Sequence, residues 1–187
     1  MPGGAIMASP AFNIMMYLRI PLIIVLCAGS IACQSATKES ASSASQGLVL
    51  HNVKTTAYTH SEGDHLKHGA SNAVGSRLKY GDVRSAAADW SVYPVGTKFK
   101  IQGEACTYVV DDYGSALVGT RTIDLYKPSR ASMNSWGARK VNISVVEWGS
   151  YDRSLAILKP RAKKGRGIIS RMVSMIEGRK NALAESE

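Results

Sequence analysis

Apolar and polar residues alternate in three short segments, residues 53–58, 98–101 and 141–145. A period of two places every second side chain on the same face of a strand. Turn residues separate these segments, and no helical pattern between them is longer than about two turns. Short strands of this kind predict an all-β closed barrel. The residues expected inside are Phe99, Ile101, Val141, Ile143 and Val145, and those expected outside are Lys98, Lys100, Asn142 and Ser144.

The two ends of the chain have different patterns. Residues 1–32 contain Arg19, an apolar run and then small residues, which is typical of an export signal peptide. Residues 33–50 are rich in Ser and Ala and predict a disordered tether. We expect the barrel over residues 51–150 and a basic tail over 151–187 that forms a short C-terminal helix, because apolar residues recur there at helical spacing. These apolar residues are Ile168, Ile169, Met172, Val173 and Ile176.

The three cysteines bear on export. The run Ile31-Ala32-Cys33 resembles the site where bacteria cleave a signal peptide before a cysteine and attach lipid to it. Ordinary cleavage without lipid is the alternative. Lipid on Cys33 would anchor an exported, periplasmic protein to the outer membrane and would leave Cys106 unpaired, where we expect a small core residue rather than a nucleophile.

Positive charge is concentrated in the tail. The chain carries a net charge of +9, and residues 152–187 contain nine Lys and Arg against four Asp and Glu. A basic cluster can bind nucleic acid, an anionic membrane or an anionic polymer. Export argues against nucleic acid. The other interpretation is the solvated face of a helix that docks on the barrel.

Two acids are candidates for chemistry. Asp124 lies in the apolar strand 122–126, where a carboxylate is disfavoured unless it is used. Segment 109–119 brings Asp112 towards it through two glycine turns, and two carboxylates in one groove indicate acid/base chemistry. The alternatives are a salt bridge for Asp124 and, for Asp112, a turn residue that caps backbone N–H groups.

Four sequence blocks occur in a fixed order. They are Ala88-Asp89, Pro94-Val95-Gly96-Thr97, Asp112-Tyr113-Gly114-Ser115-Ala116 and Ile123-Asp124-Leu125-Tyr126. Together they make residues 53–148 resemble the three-aspartate (3D) domain. That family is a small six-stranded double-psi β-barrel, found in membrane-bound lytic transglycosylase A and in secreted bacterial wall proteins, and it is more distantly related to rare lipoprotein A and the expansins.

The resemblance implies an activity. Lytic transglycosylases cleave the bond between N-acetylmuramic acid and N-acetylglucosamine without water and leave a 1,6-anhydro end. On the family pattern Asp124 matches the catalytic acid, and Asp112 and Asp89 match supporting acids, although Asp89 before Ser91 equally fits a loop cap. One carboxyl group serves as acid and then as base, so it must start protonated. The residues expected to bind substrate are Tyr113, Gly114, Ser115 and Tyr126.

A different class of function stays open. The chain would then be a non-catalytic peptidoglycan-binding or structural lipoprotein with an expansin-like groove, and a hydrolase that adds water is a third option. In the transglycosylase a second domain forms the other wall of the groove. We expect either a shallow groove here or a partial wall built by residues 59–80 and the tail. The expected partners are peptidoglycan glycan strands and, through lipid, a membrane, with no nucleic acid, no cofactor and a monomeric state.

Residues 60–68 hold five potential metal ligands, His60, Glu62, Asp64, His65 and His68. Their spacing matches no zinc pattern, and the flanking glycines and polar residues are typical of a surface loop. We therefore assign no metal site.

Overall fold

Six strands close into a single barrel in the computed structural model, which describes residues 48–62, 66–163 and 167–185. The strands are β1 Val49–Tyr58, β2 Val83–Ala87, β3 Lys98–Ile101, β4 Thr107–Asp112, β5 Ile123–Tyr126 and β6 Arg139–Glu147. The helices are α1 Arg130–Trp136, α2 Tyr151–Ala162 and α3 Gly167–Ala184. Around the barrel the order is β1-β5-β2-β4-β3-β6, which confirms the predicted six-stranded fold.

The pairing of the strands contains an internal twofold relation. Strands β1 and β5 are parallel, as are β2 and β4, and the other neighbours are antiparallel. The twofold relation maps β1, β2 and β3 onto β4, β5 and β6, and the reverse. It therefore relates the parallel β1–β5 pair to the parallel β4–β2 pair, and the antiparallel β1–β6 pair to the antiparallel β4–β3 pair. Parallel neighbours cannot be joined by a tight hairpin, so the connections must cross the barrel ends. This is the double-psi arrangement.

The interior follows the alternation of the sequence. Phe99, Ile101, Ile143 and Val145 are buried, as predicted, whereas Val141 is only half-buried because it pairs with β1 next to an irregularity in the β1–β6 register. Phe99 stacks on Tyr108 with ring centroids 5.5 Å apart. Cys106 is a buried free thiol in the same core, which confirms its predicted role.

The tail forms two helices rather than one. Helix α3 buries Ile169, Met172 and Ile176 as predicted, and α2 precedes it with Leu155 and Leu158 buried. The two helices are also joined by ion pairs, between Lys159 and Glu177 at 2.7 Å and between Lys180 and Asp152. Part of the basic charge is therefore neutralised within the tail itself.

Helix α2 is fixed to the barrel through the Pro94-Val95-Gly96-Thr97 block. The amide of Val95 donates to Ser154 Oγ at 3.0 Å, and the amide of Ser150 donates to the Val95 carbonyl at 3.1 Å. Gly149, just before α2, packs directly against the backbone of this block. An added Cβ would lie 2.3 Å from the carbonyl oxygens of both Pro94 and Val95. Only glycine fits there without moving the backbone.

The start of the barrel lies slightly before its predicted boundary. Strand β1 begins at Val49, and the carbonyl of Leu48 already accepts from the amide of Val145 at 2.9 Å. The predicted signal peptide, Cys33 and most of the tether lie outside the described residues. Of the helices in the described ranges, none is long and apolar enough to cross a membrane.

We expect Gly149→Ala to lower the free energy of unfolding by about 1–3 kcal/mol or more, because the methyl group overlaps two backbone carbonyls. Urea titration followed by circular dichroism measures the change. Gly178→Ala is the matched control, since an added Cβ there meets no atom within 4 Å and alanine favours the α3 helix by up to about 1 kcal/mol. Equal midpoints for Gly149→Ala and the parent would contradict the proposed contact.

Candidate functional site

Asp124 and Asp112 lie at the same level of the barrel sheet. Asp124 on β5 pairs with Ala87 on β2, and Ala87 pairs with Asp112 on β4. The β2–β4 register shifts between Ala86 and Ala87, so that Asp112 rather than Asp111 takes this position. Two strand spacings place the Cα atoms of Asp124 and Asp112 about 10 Å apart. A strand bulge thus brings Asp112 level with Asp124 across the sheet. That the two acids share one groove stays a prediction, because Asp112 is not among the described residues that line the groove at Asp124.

Asp124 opens onto a groove of about 600 Å³, which we call the Asp124 groove. The carboxyl group is half-buried, and the hydroxyl of Thr56, its partner on β1, donates to Asp124 Oδ1 at 2.7 Å. Ala87 contributes only a methyl group to the floor between the two acids. Thr56 therefore orients a carboxyl group that solvent and a ligand can reach.

Asp112 is buried and held by several donors. Its Oδ1 accepts from the amides of Tyr113 at 2.9 Å and Ala73 at 3.1 Å, and its Oδ2 accepts from the Tyr58 hydroxyl at 3.1 Å. Its own carbonyl accepts from the indole N–H of Trp90 at 2.8 Å. The predicted capping role is therefore present, because Asp112 organises the backbone that leads into the next loop.

Tyr58 was not among the residues predicted to form the site. It lines the Asp124 groove and donates to Asp112. Burial raises the pKa of its phenol well above the ordinary 10.0, and the negative charges of Asp112, Asp111 and Asp124 raise it further. Tyr58 therefore stays a protonated donor at neutral pH. An aromatic residue at the end of an alternating strand gives little sequence signal of this role.

Asp111 is the second residue that sequence reasoning missed. Its Oδ2 accepts from Lys79 Nζ at 2.7 Å, Asn72 Nδ2 at 2.8 Å and Ser85 Oγ at 2.9 Å. Burial raises the pKa of Asp111, and Lys79 opposes that shift. These contacts fasten the segment that carries Asn72 and Lys79 to strands β2 and β4. The sequence signal for Asp111 was its position next to Asp112. The bulge explains how both neighbouring carboxylates can accept hydrogen bonds inside the protein.

Asp89 is buried and joins its own loop to the loop at Gly119. It is fully buried, and its Oδ1 accepts from both the amide and the hydroxyl of Ser91. Its Oδ2 accepts from the amide of Gly119 at 2.6 Å. The loop-cap interpretation describes these contacts. Asp89 thereby fixes the end of the segment that carries Gly114 and Ser115 over the groove.

Comparison with known proteins identifies this unit. Residues 84–147, which contain all three aspartates, match the family model of the 3D domain. Over these residues the chain is similar to the 3D domain.

The chain is similar to a curated bacterial protein and to a solved structure. The Bacillus subtilis (strain 168) protein YabE, named for cell wall shaping, is 34% identical over 113 residues, which are 60% of this chain and 26% of YabE. The chain thus matches about a quarter of the length of this curated relative. A crystal structure of a mutant Clavibacter michiganensis expansin in complex with cellohexaose shows 14% identity and a TM-score of 0.37 over 54% of this chain and 51% of that one.

The predicted substrate-binding residues of the 3D domain separate into two places. Tyr113, Gly114 and Ser115 line the Asp124 groove. Tyr126 is buried, and its hydroxyl lies 2.8 Å from His60 Nδ1, outside the residues that line this groove. Three of the four residues are therefore placed to contact a ligand, and Tyr126 supports the wall behind them.

Residues outside the 3D domain match extend the site. A second cleft of about 870 Å³ lies beside Asp112 and shares Tyr113 and Ser115 with the Asp124 groove. Arg161 of α2 borders it and donates to the Ala73 carbonyl at 2.7 Å and to the Tyr113 hydroxyl at 3.3 Å. Described residues of segment 66–80 and of the tail thus line this second cleft.

The histidine-rich loop is only partly described. His60 contacts Tyr126, and Glu62 pairs with Arg130 at 3.1 Å, while Asp64 and His65 lie outside the described residues. Within the described ranges no group of three His, Cys, Asp or Glu side chains could hold a metal ion.

We expect the free energy of unfolding to fall as the pH rises above about 10, because the pKa of Tyr58 is higher in the folded protein than in the unfolded chain. The stabilisation is complete below the unfolded pKa and is lost as the pH rises towards the folded pKa, at up to about 1.4 kcal/mol per pH unit for one group. Urea midpoints at pH 8, 10 and 11 should therefore fall less steeply for Tyr58→Phe.

The control for this experiment is Tyr80→Phe, because Tyr80 is exposed. It should retain the pH dependence of the parent. Identical slopes for Tyr58→Phe and the parent would show that Tyr58 does not carry the predicted proton linkage.

Proposed function

We propose that this protein is an exported peptidoglycan lytic transglycosylase that acts in cell-wall turnover. It cleaves the bond between N-acetylmuramic acid and N-acetylglucosamine and leaves a 1,6-anhydro end. The observation that carries this proposal is the half-buried Asp124 carboxyl group, which opens onto a groove inside a 3D domain. Similarity to a protein named for cell wall shaping supports the cell wall as the site of action.

Asp124 performs both proton transfers in this mechanism. The protonated carboxyl group donates its proton to the glycosidic oxygen as that oxygen leaves C1. The resulting carboxylate then accepts the proton of the C6 hydroxyl group while the C6 oxygen bonds to C1. The glycan supplies its own nucleophile, so water is not consumed and Asp124 ends protonated again. Thr56 holds the carboxyl group in one orientation through both steps.

Asp112 positions the site and does not act as a second acid. Its carboxylate oxygens accept hydrogen bonds from Tyr58, Ala73 and Tyr113. A carboxylate occupied by protein donors is poorly placed to activate water, which a two-carboxylate glycosidase requires. This arrangement favours transglycosylation over hydrolysis.

A non-catalytic peptidoglycan-binding lipoprotein is the second candidate. The observation in its favour is the exposure of the Asp124 groove, in which Asp124 is only half-buried and the helical turn Ser115–Leu117 is one of the lining segments. A groove of this form can hold a glycan strand without excluding the solvent that competes with acid catalysis.

The proposed location follows from the N-terminal sequence. The signal peptide directs export, lipid on Cys33 anchors the protein to the outer membrane, and the predicted tether over residues 33–50 holds the barrel in the periplasm. A tethered domain reaches the peptidoglycan while it stays attached to the membrane.

Asp124→Asn should abolish the release of 1,6-anhydro muropeptides from isolated peptidoglycan, with a loss of at least about 100-fold in rate, because an amide cannot exchange the proton. Mass spectrometry identifies the products, which have one water fewer than those of a hydrolase. Glu147→Gln is the matched control, since Glu147 is exposed and pairs with Lys98 outside the Asp124 groove.

Three results of this experiment have distinct meanings. Anhydro products from the parent and Glu147→Gln but not from Asp124→Asn support the transglycosylase. Products that contain an added water identify a hydrolase. Equal binding to peptidoglycan by the parent and Asp124→Asn with no product from either supports the non-catalytic lipoprotein and rejects the enzyme.

Cys33→Ala should move the protein from the membrane fraction to the soluble periplasmic fraction, because the acyl chains that hold it in the membrane are absent. Fractionation of cells and metabolic labelling with a fatty acid analogue measure this change. Cys106→Ala should retain the membrane location, since Cys106 is a core thiol. Labelling of Cys33→Ala to the level of the parent would contradict the lipidation proposal.

A further inference from the structure

A third cleft borders the barrel, and residues of the tail line part of it. It has a volume of about 690 Å³, and we call it the Trp148 cleft. Its walls come from the start of β1, from the residues before β5, and from Trp148, Tyr151 and Arg179. Most of these residues lie outside the matched range 84–147, so the cleft is a property of this chain beyond the 3D domain match.

An aromatic platform forms one wall of the cleft. Trp148 is 46% exposed, and its ring stacks on the buried Tyr93 with centroids 6.4 Å apart and an interplanar angle of 6°. The stack holds the indole in one orientation with a large surface open to solvent. Such a rigid amphipathic surface suits a ligand that has both apolar and hydroxylated faces, as sugar rings do.

The charged side chains that line the cleft are all positive. Lys54, Arg121 and Arg179 line it, and none of its described lining residues is acidic. Arg179 lies over the Tyr151 ring at 5.8 Å, and Arg121 makes no ion pair within the described part of the chain. Guanidinium groups of this kind recognise carboxylates. The charge therefore complements an acidic ligand.

The Trp148 cleft continues into the Asp124 groove. Lys54 and Thr122 line both. Each of them precedes a residue of the site by two positions, Thr56 on β1 and Asp124 on β5, and these two strands run parallel in register. Two residues along a strand span about 7 Å. A polymer that lies in the Asp124 groove can thus extend directly onto the aromatic platform.

We propose that the Trp148 cleft is an additional binding site for the same peptidoglycan strand, which holds sugar units beyond the cleaved bond. Trp148 stacks on a sugar ring, and Arg121 and Arg179 bind the carboxylates that peptidoglycan carries on its lactyl-linked peptides. This inference rests on the proposed peptidoglycan substrate. It predicts a preference for long, peptide-bearing strands over single disaccharide units.

The test measures binding of two ligands to the full chain in detergent. All variants carry Asp124→Asn, so that the ligands stay intact. The ligands are fluorescently labelled peptidoglycan strands of several disaccharides with their peptides, and the single disaccharide-peptide. Trp148→Ala and the double variant Arg121→Gln/Arg179→Gln should each weaken binding of the long strands about tenfold and change binding of the disaccharide less than about twofold.

Val146→Ala is the matched control, because Val146 is 57% exposed near the same end of β6 and does not line the cleft. It should bind both ligands like the parent. The arginine variant changes only exposed side chains, so it tests the cleft even where Trp148→Ala alters folding.

The inference is overturned if both cleft variants bind long strands like the parent, or if they lose both ligands equally. It is also overturned if the protein that carries Asp124→Asn alone binds no peptidoglycan, because that result removes any role in glycan binding. The proposed enzymatic function fails separately, when the protein with Asp124 intact releases no anhydro products. A dependence of long-strand binding on Trp148 in that case supports the cleft in a non-catalytic binding protein.

Discussion

The register shift between Ala86 and Ala87 decides the geometry of the candidate site. Regular pairing of β2 with β4 would place Asp111 level with Asp124. One extra residue in β4 brings Asp112 to that position and leaves Asp111 to bind the neighbouring segment. The bulge thereby gives two adjacent carboxylates different tasks. Donors reach both oxygens of Asp112 but only Oδ2 of Asp111, among the residues that the structure describes.

Three buried acids fix the backbone, and a fourth acid, which is half-buried, lines a groove. Asp89, Asp111 and Asp112 are all buried and accept hydrogen bonds that fix loops or strands. Asp124 is half-buried and lines a groove. Positioning and chemistry are thus divided among the aspartates, and the positioning residues hold the groove wall in place for a ligand at Asp124. The alignment of the Trp148 cleft with this groove extends the same surface beyond the 3D domain.

Much of the fold was accessible from the pattern of the chain. Alternation identified Phe99, Ile101, Ile143 and Val145 as core residues, and helical spacing identified the buried face of α3, because side-chain periodicity follows directly from local backbone geometry. The α2 helix was missed, since Pro160 and the basic residues near it weaken its amphipathic pattern. The twofold relation of the strands was invisible because pairing partners are distant in sequence.

Sequence order by itself determined that Asp124, Asp112 and Asp89 belong to one family pattern, and local chemistry indicated a cap at Asp89. Tertiary structure alone decided that Tyr58 donates to Asp112, that Asp111 fastens a segment, and that the Tyr126 hydroxyl contacts His60. Alternation and turn residues are local properties of a chain. Which side chains meet across a closed barrel depends on strand register, and a single inserted residue changes that register without leaving a local signal.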